Sequence, residues 1–110
     1  MVLVFKRPLL LLILAGRKTQ TRRISRRQLQ QNRIYPILDN YREGAKAYVR
    51  IIRKFQQRLA DISPSDIKKE GFNTLEEFKA AWISLYGAWQ PETTVTVYEF
   101  ELVNGDCREN

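Results

Sequence analysis

The densest reactive chemistry in this chain lies in seven residues. Arg17-Lys18-Thr19-Gln20-Thr21-Arg22-Arg23 places four cations and two hydroxyls in one short run. Extended backbone alternates its side chains, so Lys18, Gln20 and Arg22 are expected on one face and Thr19, Thr21 and Arg23 on the other. Lys18 and Thr21 then converge only if the backbone turns after Gly16. Like charge from Arg17, Arg22 and Arg23 is expected to lower the Lys18 pKa, which makes a neutral amine, and so a base, more attainable. In their charged state the same side chains suit phosphate, to which guanidinium groups bind in bidentate fashion. Glu70 is the second candidate, because it falls at the end of a predicted helix just before Gly71. The negative end of a helix disfavours a carboxylate by roughly a few tenths of a kcal/mol, so Glu70 calls for a cation, and Lys18 or Arg23 is expected to supply it. The plainer readings are a solvated basic strand and a surface glutamate beside Lys68 and Lys69.

The charge of the whole chain supports a polyanionic partner. Residues 1–60 hold fifteen Lys and Arg against Asp39 and Glu43, a net +13, whereas residues 61–110 hold four bases against ten acids, a net −6. A cationic half of this density attracts phosphate and speeds encounter with nucleic acid. The alternative is that folding brings the two halves together and cancels much of the field. With no His and a single Cys, Cys107, the chain cannot build a Cys/His zinc site, a Ser-His-Asp triad or a Cys-His dyad. No metal or cofactor is implied. One cysteine in a polar tail also leaves no disulfide framework, which fits a reducing, cytoplasmic setting.

The elements that must position these residues are readable in outline. Val2 to Phe5 suits a strand, and Pro8 opens a two-turn helix of leucines that ends at Gly16. The apolar run from Leu9 to Ala15 is too short to span a bilayer, so no membrane segment is expected. Residues 25–45 read as a long basic loop with turn signals at Tyr35-Pro36, Asp39-Asn40 and Glu43-Gly44. Lys46 to Phe55 alternates as a strand, with Ala47, Val49 and Ile51 on one face, and a further short strand is expected over Arg58 to Ile62. Ser63-Pro64-Ser65-Asp66 has the form of a helix start, with Ser63 as N-cap and Gly71 as terminator. Asn73 is expected to cap the next helix, which buries Leu75, Phe78, Trp82 and Leu85 and stops at Gly87. Thr93 to Val103 alternates as a strand. Trp82 and Tyr86 are expected in the core. Tyr35, Tyr41, Tyr48 and Trp89, in or near loops, are candidates for base stacking. A chain of 110 residues has room for one domain, here 1–110.

Three stretches together resemble the ASCH domain, a family related in fold to the PUA RNA-binding domains. Gly16-Arg17-Lys18-Thr19-Gln20-Thr21-Arg22-Arg23 matches the family's Gly-x-Lys-Thr-x-Thr-x-Arg signature. Lys69-Glu70-Gly71-Phe72 with the helix leading to Trp82 and Tyr86 matches its Glu-Gly-Phe segment. Val97-Tyr98-Glu99-Phe100-Glu101-Leu102 matches its closing strand. The resemblance covers residues 5–103 and departs at Glu43-Gly44-Ala45, where the family has a Gly-Asp turn, and in the longer, more basic stretch 25–45.

What the resemblance implies is an α+β fold: a PUA-like β-barrel of about five or six mostly antiparallel strands with two or three flanking helices. The first stretch then lines a ligand cleft and nominates Lys18, Thr21 and Arg23. Small bacterial amidohydrolases acting on N4-acetylcytidine, which this sequence is similar to, use a Lys, Thr and Glu set that maps here to Lys18, Thr21 and Glu70. In that chemistry the amine takes the Thr21 proton, the hydroxyl attacks an amide carbonyl and Glu70 serves the leaving nitrogen. The same residues serve equally to bind a base and phosphate without reaction. The expected function is therefore an RNA- or nucleotide-binding domain, with Arg17, Arg22, Arg23, Arg26 and Arg27 on the nucleic acid. An amidohydrolase and a protein-interaction module with an acidic partner are the alternatives, and the oligomeric state is not legible.

Overall fold

The computed structural model describes residues 2–24 and 27–103. Arg26, expected on nucleic acid, and Cys107 lie outside them. In chain order the elements are β1 (Leu3–Val4), α1 (Arg7–Leu14), β2 (Gln20–Arg23), β3 (Ile34–Leu38), β4 (Ala47–Arg58), a 3₁₀ turn (Leu59–Asp61), α2 (Pro64–Glu70), α3 (Leu75–Tyr86) and β5 (Thr94–Val103). The five strands form one mixed sheet in the order β1-β3-β4-β5-β2. Only β1 and β3 run parallel; the other three pairings are antiparallel. The expected α+β fold is present, its barrel taking the form of a five-stranded half-barrel curled so that its two edge strands approach each other without pairing. Across that seam the Arg23 Nη2 donates to the Val4 carbonyl at 3.2 Å.

The long β4/β5 ladder serves two cores. On β5, Tyr98 and Phe100 face a cluster with Leu3, Phe5, Leu10 and Ile13, while Val95 and Val97 face Leu59, Phe78 and Trp82. On β4, Val49 and Ile51 enter the first cluster but Phe55, of the same parity, enters the second. The switch is a bulge: Ile51 pairs with Phe100 and Arg53 with Glu99, which leaves Ile52 unmatched. One extra residue in a strand reverses which face every later side chain occupies.

Three sequence expectations are corrected. Residues 34–38 are strand rather than loop, and Pro36 is accommodated because the β1 pairing reaches only Ile37 and Leu38, leaving no partner on that side for a missing N–H. Arg58 to Ile62 is the end of β4 followed by the 3₁₀ turn, not a separate strand. Leu85 is 66% exposed, since α3 turns that position away from the core.

The helices that frame the site start and stop as their sequences dictate. Ser63 Oγ accepts from the Asp66 amide at 3.1 Å and the Asp66 carboxylate accepts from the Ser63 amide at 3.2 Å, a complete capping box. α2 ends at Gly71 with φ 101°. Thr74, one residue beyond the expected Asn73, caps α3 in the same reciprocal way with Glu77.

Candidate ligand cavity

Gly16, in the left-handed conformation, ends α1 and turns the chain, and the Arg17 and Lys18 amides both bond back to the Leu12 carbonyl. The Thr19 amide then donates to the Lys69 carbonyl at 2.8 Å, which docks the start of β2 against the end of α2. That single backbone bond explains why Lys18 and Glu70, far apart in sequence, meet. The Lys18 Nζ donates to the Glu70 carbonyl at 2.6 Å, to Glu70 Oε1 at 3.1 Å and to the Gln20 carbonyl at 3.0 Å. All three ammonium donors are thus engaged.

The second Glu70 oxygen accepts from Arg22 Nη1 at 3.0 Å. Arg22 is held in turn by Gln57 Oε1, 3.2 Å from Nε and 2.8 Å from Nη2, by Asp66 Oδ2 at 3.3 Å, and by Gln20 Oε1. Lys18, Gln20 and Arg22 therefore share one face, as alternation predicts. Sequence reasoning put Arg22 on nucleic acid; in the structure its side chain is fully buried against two carboxylates of α2, at the wall of the cavity described below. Of the two cations expected to partner Glu70, Lys18 does so, and Arg22 rather than Arg23 takes the second oxygen. The signal for this was present, because Asp66 and Glu70 are spaced i,i+4 and so share one face of α2. Gln20, Gln57 and Asp66 were not singled out from sequence.

Burial pushes the Lys18 pKa below the ordinary lysine value, the Glu70 charge and hydrogen bond oppose it, and Arg23 and Arg22 lower it further. The direction matches expectation, but desolvation outweighs like charge as its cause. Arg17 is not among the causes; it lies exposed in a shallow basic hollow with Lys68 and Lys69.

Lys18, Thr21, Arg22, Arg23 and Glu70 all line one cavity of about 490 Å³ between the β1/β2 seam and α3. This is the size of a small-ligand site. Its remaining wall is largely apolar, from Phe5, Leu9, Phe72, Phe78, Trp82 and Tyr86. The Thr21 side chain makes no hydrogen bond among the described residues, although the residue is 5% exposed. Arg23 stacks over the Phe5 ring with its guanidinium carbon 4.9 Å from the centroid. Burial lowers its pKa, and among the described residues no carboxylate lies within ion-pair distance of it. Tyr41 stands 77% exposed at the rim, on a loop held by the Arg7–Asp39 ion pair at 3.1 Å.

The other aromatics divide differently from expectation. Trp82 is buried in the core, but Tyr86 is 37% exposed at the cavity. Tyr35 packs on the first core and accepts from the Gln30 amide, and Trp89 meets Phe78 edge-on in the second. Tyr48 is half-buried. Arg27 is exposed and lines a neighbouring cavity. Some of the cationic field is cancelled locally, since Arg53 pairs with Glu99 and Arg58 with Asp61 and Glu92. Among the described residues no group of three or more His, Cys, Asp or Glu is placed to hold a metal ion, and no helix is long and apolar enough to cross a membrane.

No family model and no curated protein matches the sequence. Solved structures do match the fold. An ASCH domain from Lactobacillus crispatus superposes with TM-score 0.74 at 13% identity, over 86% of this chain and 70% of that one. A protein from Enterococcus faecalis gives 0.67 at 22% identity, over 90% and 70%. The ASCH protein of Zymomonas mobilis gives 0.68 at 13% identity, over 96% and 73%. At these identities the likeness establishes the fold.

Proposed function

We propose that this protein, whose fold is that of the ASCH domain, binds a nucleoside-like ligand in the cavity, either free or as an unpaired residue of an RNA strand. The observation that carries this is the union, in one space of about 490 Å³, of apolar and aromatic walls with a polar end made by Lys18, Thr21, Arg23 and Glu70. A base offers a flat apolar face and an edge of donors and acceptors. Tyr86 suits the face; the Thr21 hydroxyl and the Glu70 carboxylate suit the edge. Calorimetric titration with the four ribonucleosides and N4-acetylcytidine tests the reading. Thr21→Val, which removes a hydroxyl that has no partner among the described residues, is expected to weaken the nucleoside that binds by about 0.5–1.5 kcal/mol, the net scale of a hydrogen bond. Absence of heat or of chemical-shift change with every probe would refute it.

A second reading, amide hydrolysis, is favoured by one observation: a buried lysine of lowered pKa and a threonine hydroxyl with no partner among the described residues line the same cavity as Glu70. Once Lys18 has lost its proton, its amine takes the proton of Thr21. The Thr21 oxygen then attacks the amide carbon, the C–N bond breaks with a proton delivered to nitrogen through Glu70, and water cleaves the acyl-threonine ester. Conversion of N4-acetylcytidine to cytidine, abolished by Thr21→Ala, would place this reading first.

A further inference from the structure

A second cavity, of about 270 Å³, lies beside the first and shares two residues with it, Arg23 and Tyr86. Both cavities open on the seam between the edge strands. The first takes Val4, Phe5 and Thr21 to Arg23; the second takes Val2, Leu3, Arg23 and Ile24. They are therefore consecutive along the strands, offset by two residues of β1. At about 3.3 Å per residue this is roughly 6.6 Å, about twice the 3.4 Å rise between neighbouring nucleotides of one strand in a duplex. Bases held at that separation are unstacked, and the side chains standing between them here are an arginine and a tyrosine.

Arg23 has the chemistry expected of a group awaiting an anion. It uses one donor on the Val4 carbonyl, stacks on Phe5, and among the described residues has no carboxylate partner. The Glu70 charge acts on it from beyond ion-pair distance and only partly offsets its burial, so the arrival of an anion is favoured. Arg27 adds an exposed cation on the wall of the second cavity.

We propose that the two cavities receive two consecutive nucleosides of a single-stranded polynucleotide, splayed apart by Tyr86, with the connecting phosphate on Arg23 and Arg27. This rests on the nucleoside-binding reading of the first cavity and specifies its ligand class as a dinucleotide step, not a free nucleoside.

The test compares, by calorimetry at fixed salt, a nucleoside, its 3′-phosphate and 5′-phosphate, and the dinucleoside monophosphates that carry it at either end. The dinucleoside monophosphate is expected to bind at least about tenfold more tightly than either mononucleotide, because a base stacked on an aromatic ring adds on that scale. Arg27→Ala, an exposed change that leaves the fold intact, should reduce its affinity by about tenfold, the scale of a charged hydrogen bond, and leave nucleoside affinity unchanged. Ile24→Trp, which fills the second cavity from a half-exposed position, should abolish the advantage of the second base while sparing the mononucleotides. Arg23→Lys should retain part of the phosphate gain and Arg23→Gln none. Dinucleoside and mononucleotide affinities that are equal would overturn the proposal while leaving the nucleoside reading standing. Failure of every probe to bind would sink both. Equal competition by a glutamate-rich peptide would overturn the polynucleotide assignment in favour of a protein partner.

Discussion

Glu70 is the group on which the cluster depends most, and Glu70→Ala gives the most demanding test of the electrostatics. Its side chain is 5% exposed and its two oxygens are divided between Lys18 Nζ at 3.1 Å and Arg22 Nη1 at 3.0 Å, side chains that are themselves 2% and 0% exposed. Removing the carboxylate leaves two buried cations within one cluster, and breaking a buried pair in this way costs about 3–5 kcal/mol. Arg22 keeps Asp66 and Gln57, so the loss falls mainly on Lys18, whose other acceptors are carbonyls. A domain of this size has on the order of 5–15 kcal/mol in total, and each kcal/mol moves Tm by about 4–8 °C. Glu70→Ala should therefore lower Tm by on the order of 20 °C and move the urea midpoint accordingly. A double-mutant cycle with Lys18→Met separates electrostatics from packing. Because Lys18→Met removes one stranded cation, the double variant should be more stable than the sum of the single losses by about 0.5–3 kcal/mol. A Glu70→Ala protein within about 1 kcal/mol of the parent, or strictly additive losses, would refute the reasoning.

Three further outcomes follow from the same structure. Burial raises the Asp66 pKa, but bonds from Ser63 and Gln20 and the Arg22 charge outweigh it and hold the pKa below the ordinary 3.8. A folded pKa below the unfolded one gives stability that is complete above 3.8 and is lost as pH falls through the lower folded value, so Asp66→Asn should flatten the acid limb of a stability-against-pH curve. Gly71→Ala should destabilise by about 1–2 kcal/mol in urea unfolding, because φ is 101° and the new Cβ would stand 3.1 Å from Leu12 Cδ1. If a polynucleotide binds through phosphates, Arg27→Ala should reduce the slope of log affinity against log salt by about 0.7 for the lost contact, whereas Arg22→Ala should act through stability and leave that slope unchanged.

Much of this was legible in the sequence, for reasons that particular residues make plain. The helix boundaries at Ser63, Gly71 and Gly87 were readable because caps are local chemistry, and the alternation from Thr94 to Val103 located β5. Lys18, Gln20 and Arg22 do share a face, as strand parity requires. The meeting of Lys18 with Glu70 was read partly from family resemblance and partly from the need of a helix-end carboxylate for a cation. Spacing alone does not reveal it, because it depends on the Thr19 amide finding the Lys69 carbonyl. The burial of Arg22 was not legible because four cations in seven residues read as a surface, and only the arrival of Asp66 and Glu70 from α2 makes it possible. β3 was missed because Tyr35-Pro36 is a turn signal by composition, while the absence of a partner opposite Pro36 is a property of the assembled sheet. The bulge at Ile52 was invisible in the same way, since Val49, Ile51 and Phe55 keep one parity and nothing local shows that they serve opposite cores.

The position of β5 has a consequence for how the protein is made. Its residues pair with β4 along one side and β2 along the other, from Gln20↔Glu99 to Arg23↔Thr96, and its two faces supply walls to both cores. Neither core can close before that strand arrives, so during synthesis the preceding ninety or so residues emerge with their leucines and valines uncovered. The β2–β5 pairing joins segments more than seventy residues apart, the kind of topology for which loop closure makes folding slow. The stretch that precedes β5 carries a large net positive charge, and like charge of that kind disfavours association between incompletely folded copies.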